Sequence, residues 1–129
     1  MSNADAPIAL SVVADPDLAR LVRMTAANVA MLSSMSVDRV EDIRMAAEEA
    51  FIYACSVCPG GSLSIEFRAS AEAVAMSFSL GCGSFSGDAA DGEVAAYADL
   101  ILASVCDSYE KRENPSALLL ELKADVYDR

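Results

Sequence analysis

The sequence has no histidine, few basic residues and no long apolar run. Lysine and arginine together number 9, against 20 aspartates and glutamates, which gives a formal net charge of −11 over 129 residues. So acidic a surface repels phosphate backbones and anionic lipids, and no run approaches the roughly 18 apolar residues of a membrane span. The first residues also lack the basic start and apolar core of a signal peptide. We therefore expect a cytoplasmic protein that binds neither nucleic acid nor membrane and meets a basic protein partner.

The cysteine pattern gives little support for a metal site. Cys55 and Cys58 form a CxxC at the end of a helical pattern, whereas Cys82 and Cys106 stand far apart. A structural zinc site usually shows two close pairs of ligands, and no histidine is present to complete one. We expect thiols that serve as small buried apolar side chains in a reducing compartment. A cysteine-based metal or redox module is a distant alternative.

The composition predicts one folded domain over residues 1–129. Hydrophobic residues make up 54% of the chain, enough for a sizeable core. The first half predicts a strand over residues 8–14 and a helix that starts at Asp15-Pro16, where a capping carboxylate precedes a proline. Ser36 can cap a second helix, which ends at the turn of residues 58–61. The expected buried stripe of this second helix comprises Val37, Val40, Ile43, Ala47, Ala50 and Ala54.

The second half predicts a hairpin, a loop, a helix and a last strand. Apolar residues alternate over 63–67 and again over 74–80, with a tight connection at 69–72. Small and polar residues over 81–92 indicate a loop. A third helix is expected from Glu93 to Glu110, then a turn at Asn114-Pro115 and a strand over 117–124. The order predicts an α+β two-layer sandwich, with a mixed sheet covered by helices on one face.

Four fragments in this order resemble one known family. They are DPDLAR at the first helix, EDIRMAAEEA in the second, SLGCGSF after the hairpin and LILASVCDSYE before the last strand. Together they resemble the anti-sigma factor serine kinases of the histidine-kinase-like ATPase superfamily, over nearly the whole chain. The resemblance implies the ATPase-type fold, and regulation by partner switching with a sigma factor, an anti-sigma-factor antagonist or both. It also implies a homodimer formed through the sheet.

The family's catalytic helix matches in part. Glu49 stands where the family has the glutamate that acts as general base, although an exposed helix carboxylate is the simpler interpretation. One turn later the family has an asparagine that holds magnesium, and this chain has Tyr53. Magnesium prefers oxygen ligands in a tight octahedral array, and a neutral phenol replaces an amide oxygen poorly.

The family's nucleotide motifs are also altered. Gly81 and Gly83 match two glycines of the adenine motif, and Ser79 falls where the family has an aspartate that binds the adenine amine. A turn that needs positive φ would explain the two glycines equally well. The phosphate-binding glycines of the family align with Ala96 and Ala98, in a stretch that we expect to be helical.

Arg20 matches an arginine that contacts both partners in the family, although it could instead pair with Asp17. The resemblance with altered motifs predicts a regulatory interaction module whose ATP binding is lost or weakened, without a cofactor. The alternative is an active serine kinase that uses ATP and magnesium, with Glu49 as its base.

Overall fold

The computed structural model describes residues 7–85 and 92–126. In chain order its elements are β1 (Ile8–Val13), a 3-10 turn (Pro16–Leu18), α1 (Ala19–Ala30), α2 (Val37–Val57), β2 (Ser62–Ala69), β3 (Ala73–Leu80), α3 (Glu93–Val105), β4 (Ser108–Arg112) and β5 (Ala117–Lys123). The predicted hairpin, second helix and last strand are confirmed. The predicted loop over 81–92 lies partly outside the described residues.

The five strands form one sheet in the order β1-β2-β3-β5-β4. Every pair of neighbouring strands is antiparallel, so the prediction of a mixed sheet is wrong. The reason is β4, which lies at the sheet edge and turns back directly into β5. That reversal brings β5 alongside β3 in the antiparallel direction.

The helices cover one face of the sheet, as predicted. Successive side chains on a strand point to opposite faces, and β2, β3 and β5 all alternate in burial. The buried side chains face the helices and form the core with them, and they include Leu63, Ile65, Phe67, Val74, Met76, Phe78, Leu118, Leu120 and Leu122. The molecule is therefore a two-layer α/β sandwich with one open sheet face.

The second helix begins where the sequence predicts. Ser36 is its N-cap and accepts a hydrogen bond of 3.1 Å from the Arg39 backbone N–H. Four alanines of α2, Ala46, Ala47, Ala50 and Ala54, are fully buried, so its backbone packs closely against its neighbours. Val37, expected in the buried stripe, is 81% exposed, so the stripe begins after the first residue of the helix. Within the described residues, no helix combines the length and apolar character needed to cross a bilayer.

The third helix is shorter than predicted. It ends at Val105 rather than at Glu110, and residues 108–112 form the edge strand β4, which the sequence analysis missed. Four of the five β4 residues are exposed, so the strand has no inward-facing apolar series. Its pairing with β5 decides its conformation.

The cysteines differ from the prediction at one pair. Cys58 and Cys82 form a disulfide bond, with their Cα atoms 5.5 Å apart, so these two are not thiols. Cys55 and Cys106 are buried thiols, as expected. Burial raises the pKa of Cys55 to about 11 and that of Cys106 to about 12. Both thiols therefore stay protonated and unreactive near neutral pH.

Candidate functional site

The Glu49 carboxylate lies on α2 beside a depression between α1 and α2. The depression has a volume of about 290 Å³ and is lined by Arg23, Glu41, Arg44, Met45, Glu48 and Glu49. Burial raises the pKa of Glu49, and the neighbouring charge of Glu48 raises it further. No hydrogen bond or ion pair from residues 7–85 or 92–126 engages its carboxylate. Glu49 is therefore available to accept a proton.

Two ion pairs hold the other charged groups of this depression. Arg23 Nη1 on α1 lies 2.6 Å from Glu48 Oε1 on α2, and Arg44 Nη1 lies 2.7 Å from Glu41 Oε2. The first pair links the two helices, and its side chains are only about a third exposed. Among the three glutamates that line the depression, Glu41 and Glu48 are thus paired with arginines, and Glu49 is not.

Tyr53, one turn after Glu49, lies in a different environment. Its side chain is fully buried, and its ring packs against Phe85 with the ring centroids 5.4 Å apart. Lys111 Nζ donates a hydrogen bond of 3.2 Å to the Tyr53 hydroxyl oxygen. The Tyr53 oxygen, at the position where the resemblance implies a magnesium ligand, thus faces an ammonium group, which would repel a divalent cation.

A polar network continues from Tyr53 to α3. Lys111 Nζ lies 2.9 Å from Asp99 Oδ2, and the Tyr109 hydroxyl donates a hydrogen bond of 2.6 Å to Asp99 Oδ1. Burial lowers the pKa of Lys111, but its hydrogen bonds to Asp99 and Tyr53 outweigh that effect and the net shift is upward. Burial and the bond to Asp99 raise the pKa of Tyr109. Lys111 is therefore charged, and the network connects α2, α3 and β4.

Sequence reasoning missed this network because it depends on β4. Tyr109 and Lys111 fall on alternate residues of that strand, but Tyr109 lies in the stretch interpreted as helix and Lys111 lies just beyond its predicted end at Glu110. The spacing of Tyr109 and Lys111 at alternate positions was the one sign of a strand here. A five-residue segment without alternating apolar residues is too short a pattern to predict a strand from sequence.

The three residues that the resemblance assigns to adenine binding, Ser79, Gly81 and Gly83, are not brought to Glu49. Ser79 is exposed on β3, between the inward-facing Phe78 and Leu80, so it lies on the sheet face opposite the helices. Gly81 and Gly83 come directly after β3 in the chain, and Gly83 lies against the C-terminal end of α2. An added Cβ at Gly81 would lie 2.9 Å from Ser62 O.

Gly83 has a clear packing role. Its φ is +82°, and an added Cβ would lie 2.6 Å from the Val57 carbonyl oxygen. The turn interpretation of this motif, which required positive φ, is confirmed at Gly83. Ala96 and Ala98 lie within α3, where helix was expected, and the intervening Tyr97 is 58% exposed.

Arg20 lies exposed on α1, and the alternative ion pair with Asp17 does not form. Two exposed apolar side chains, Leu21 at 46% and Met24 at 49%, follow it on the same helix. Among the described residues, no group of three or more cysteines and acids could hold a metal ion. No protein-family model matches the sequence, and a search of curated proteins found no match.

Proposed function

We propose that the chain is an anti-sigma-factor-like regulatory protein that acts by partner switching and has lost or weakened ATP binding. Its layout supports the proposal, since a five-stranded sheet with all helices on one face is compatible with the ATPase-type fold that the sequence resembles. The order of helices, hairpin and final strand agrees with that resemblance. The ATPase-type fold is part of the proposal.

The environment of Tyr53 is the observation that carries the loss of ATP binding. The side chain at the family's magnesium position is buried against Phe85, and its oxygen accepts a hydrogen bond from Lys111. A cation at this oxygen would have to displace the ammonium and the ring. Losing one magnesium ligand weakens transition-state charge stabilisation by several kcal/mol, or about a thousandfold in rate.

The α1 surface around Arg20 supports a protein-binding role. An exposed arginine beside the exposed apolar side chains of Leu21 and Met24 has the composition of a protein interface. The net charge of −11 favours a partner with a basic face. We propose that a sigma factor, an anti-sigma-factor antagonist or both bind here.

The open sheet face is the proposed dimer surface. Ala73, Ala75 and Ser77 of β3 point to this side, away from the helices. Ala75 and Ser77 line a shallow depression of about 310 Å³, together with Leu119 and charged side chains that include Glu66, Arg68 and Glu121. Small side chains allow two sheets to approach closely. Analytical ultracentrifugation should find a dimer, and a monomer at high concentration would refute this part of the proposal.

Nucleotide binding can be tested by calorimetry with magnesium-ATP. The natural chain should release no heat of binding at micromolar concentrations. Tyr53→Asn restores the amide that the family uses, and Tyr97→Asn makes the same change at an exposed site as the matched control. A micromolar dissociation constant for the natural chain would overturn the claim of lost binding. Thermal unfolding of both variants would show whether each remains folded.

Partner binding can be tested with a sigma factor and antagonist encoded beside the chain. Arg20→Ala should weaken the complex at least about tenfold if Arg20 lies in the binding centre. Arg44→Ala removes a half-buried arginine of α2 that is paired with Glu41 and is the control. Equal affinities for the natural chain and both variants would exclude the α1 surface.

An active serine kinase is the second candidate, and the raised pKa of Glu49 favours it. A carboxylate with that shift and no described partner is suited to accept a hydroxyl proton. Transfer of labelled phosphate from ATP to an antagonist serine would support this function. Glu49→Gln should abolish the transfer, and Glu72→Gln, an exposed change in the turn between β2 and β3, should preserve it. No transfer to any cognate antagonist excludes a kinase.

A further inference from the structure

A disulfide bond joins the end of α2 to the turn after β3. Cys58, the C-cap of α2, is fully buried, and Cys82, separated from it by 24 positions in sequence, lies exposed in the turn. Disulfides in proteins of a reducing compartment are usually transient and take part in redox sensing or catalysis. We propose that the Cys58–Cys82 bond exchanges with a dithiol reductant of thioredoxin chemistry, and that its reduction releases residues 83–85 from α2.

Glycines make room for the bond. A Cβ at Gly61 would overlap the Cys58 sulfur and lie 2.7 Å from the Cys82 sulfur. On the other side Gly83 approaches the last turn of α2 where no side chain fits. Gly60, Gly81 and Cys82 are all exposed, so an incoming thiol can approach Cys82 from solvent.

The exchange balances as a two-electron reduction. A thiolate of the reductant attacks the sulfur of the exposed Cys82 and forms a mixed disulfide, and the bond to Cys58 breaks. The Cys58 thiolate leaves and takes a proton from water. The second thiolate of the reductant then attacks the reductant sulfur of the mixed disulfide and releases Cys82, which is also protonated. The chain gains two electrons and two protons, and the reductant becomes a disulfide.

The position of Cys58 selects a dithiol over a monothiol. Cys58 caps the C-terminal end of α2, where the helix dipole disfavours a thiolate. A Cys58 thiolate therefore re-attacks a mixed disulfide readily, and a monothiol is expelled again. A dithiol escapes this reversal because its second thiol resolves the intermediate. The buried thiols Cys55 and Cys106 stay protonated and do not exchange.

Reduction frees the Cys82 side rather than the Cys58 side. Backbone hydrogen bonds hold the residues after α2, with the Gly60 N–H donating to Ala14 O at 3.0 Å and the Gly61 N–H to Cys58 O at 3.0 Å. The segment after Cys82 is held by side-chain contacts: the Glu113 carboxylate accepts bonds from Ser84 Oγ at 3.0 Å and from the Phe85 N–H at 2.5 Å, and Ser116 Oγ donates a bond of 3.1 Å to Gly83 O. Without the disulfide, the covalent link to α2 is gone, and these side-chain contacts and the burial of Phe85 remain.

The test compares two reductants on the folded, oxidised chain. A recycled thioredoxin-class protein and an equal thiol concentration of glutathione are each applied, followed by alkylation, mass spectrometry and hydrogen exchange. The dithiol protein should expose Cys58 and Cys82 to alkylation and leave Cys55 and Cys106 protected. Amide exchange over residues 83–85 should rise about tenfold or more and become insensitive to low denaturant, because it then follows a local opening, whereas exchange in β2 should still require global unfolding. Glutathione should react far less.

Two variants test whether the disulfide restrains residues 83–85 locally or only stabilises the whole fold. Cys82→Ser should reproduce the faster exchange at residues 83–85 without any reductant, and Cys106→Ala should leave the reduction unchanged. Reduction that requires denaturant, or exchange at residues 83–85 that still follows global unfolding after reduction, would show a purely structural disulfide and overturn the proposal. So would four free thiols after treatment with an oxidant.

Discussion

Lys111 Nζ on β4 donates a hydrogen bond of 3.2 Å to the buried hydroxyl of Tyr53 on α2. The same ammonium lies 2.9 Å from Asp99 on α3, so one side chain connects three elements. Lys111→Met should lower the free energy of unfolding by about 1 kcal/mol, because the hydroxyl loses its donor and the carboxylate its half-exposed partner. Urea denaturation measures this. Lys123→Met, an exposed change on β5, should stay within about 0.5 kcal/mol and is the control.

Three glycines separate backbone strain from packing. Gly92→Ala, with φ −82° and open space, should leave stability within about 0.5 kcal/mol. Gly60→Ala, with φ +72° and open space, should cost about 1 kcal/mol through strain alone. Gly83 has a similar φ, and its replacement by alanine also brings the new Cβ against the Val57 carbonyl oxygen. Gly83→Ala should therefore lower the free energy of unfolding by more than about 2 kcal/mol. Equal losses at Gly60 and Gly83 would contradict the close approach to α2.

The disulfide closes a loop with a sequence separation of 24 residues. Loop-closure entropy then predicts that its loss lowers the free energy of unfolding by about 3 kcal/mol. For a domain of this size, that corresponds to a fall in melting temperature of about 10 °C. Calorimetry of Cys82→Ala measures the fall, with Cys106→Val as a control that has no bond to lose. A change below about 1 kcal/mol would mean that the bond adds little constraint to the unfolded chain.

The raised pKa of Glu49 predicts a pH dependence of stability. The folded state holds the proton more tightly than the unfolded state, so the contribution of Glu49 is fully present below its ordinary pKa and is lost as the pH rises through the raised value. Relative to the natural chain, Glu49→Gln should therefore become more stable as the pH increases across this window. Urea denaturation from about pH 4 to pH 7 measures the difference, and a constant difference would contradict the shift.

Asp125 should show the opposite dependence. Hydrogen bonds from the Ser36 hydroxyl and backbone N–H lower its pKa. Its contribution is thus present above its ordinary pKa and is lost as the pH falls through the lowered value. Asp125→Asn should weaken this dependence on acid, whereas Asp38→Asn in the first turn of α2 should leave the contact with Ser36 intact. Identical acid unfolding of the natural chain and Asp125→Asn would contradict this assignment.

Much of the fold follows from local patterns. Alternating apolar residues predict β2, β3 and β5, and Ser36 marks the start of α2, because each signal is contained in a few neighbouring residues. Val37 departs from its stripe because position in the sandwich, rather than periodicity, decides burial in the first turn. The edge strand β4 has four exposed residues of five and takes its conformation from pairing with β5, which no local pattern encodes.

The candidate site was predictable only in part. Glu49 was singled out through the family resemblance, but its raised pKa depends on its burial and on the neighbouring charge of Glu48. The bond between Lys111 and Tyr53 depends on the register of β4, and the Cys58–Cys82 bond joins residues whose spacing carries no signal. Each of these contacts joins distant parts of the chain, so the sequence indicated the chemical groups without their partners.

The four fully buried alanines of α2 bear on any search for ligands of this protein. Their short side chains allow α2 to pack closely against its neighbours. A small molecule with a flat ring system could therefore bind between α2 and the rest of the core only if α2 moved away from it. Such a compound would convert tight packing into exposed apolar surface. Screening hits at this place should consequently increase cleavage by proteases, whereas hits on the outer surfaces should reduce it.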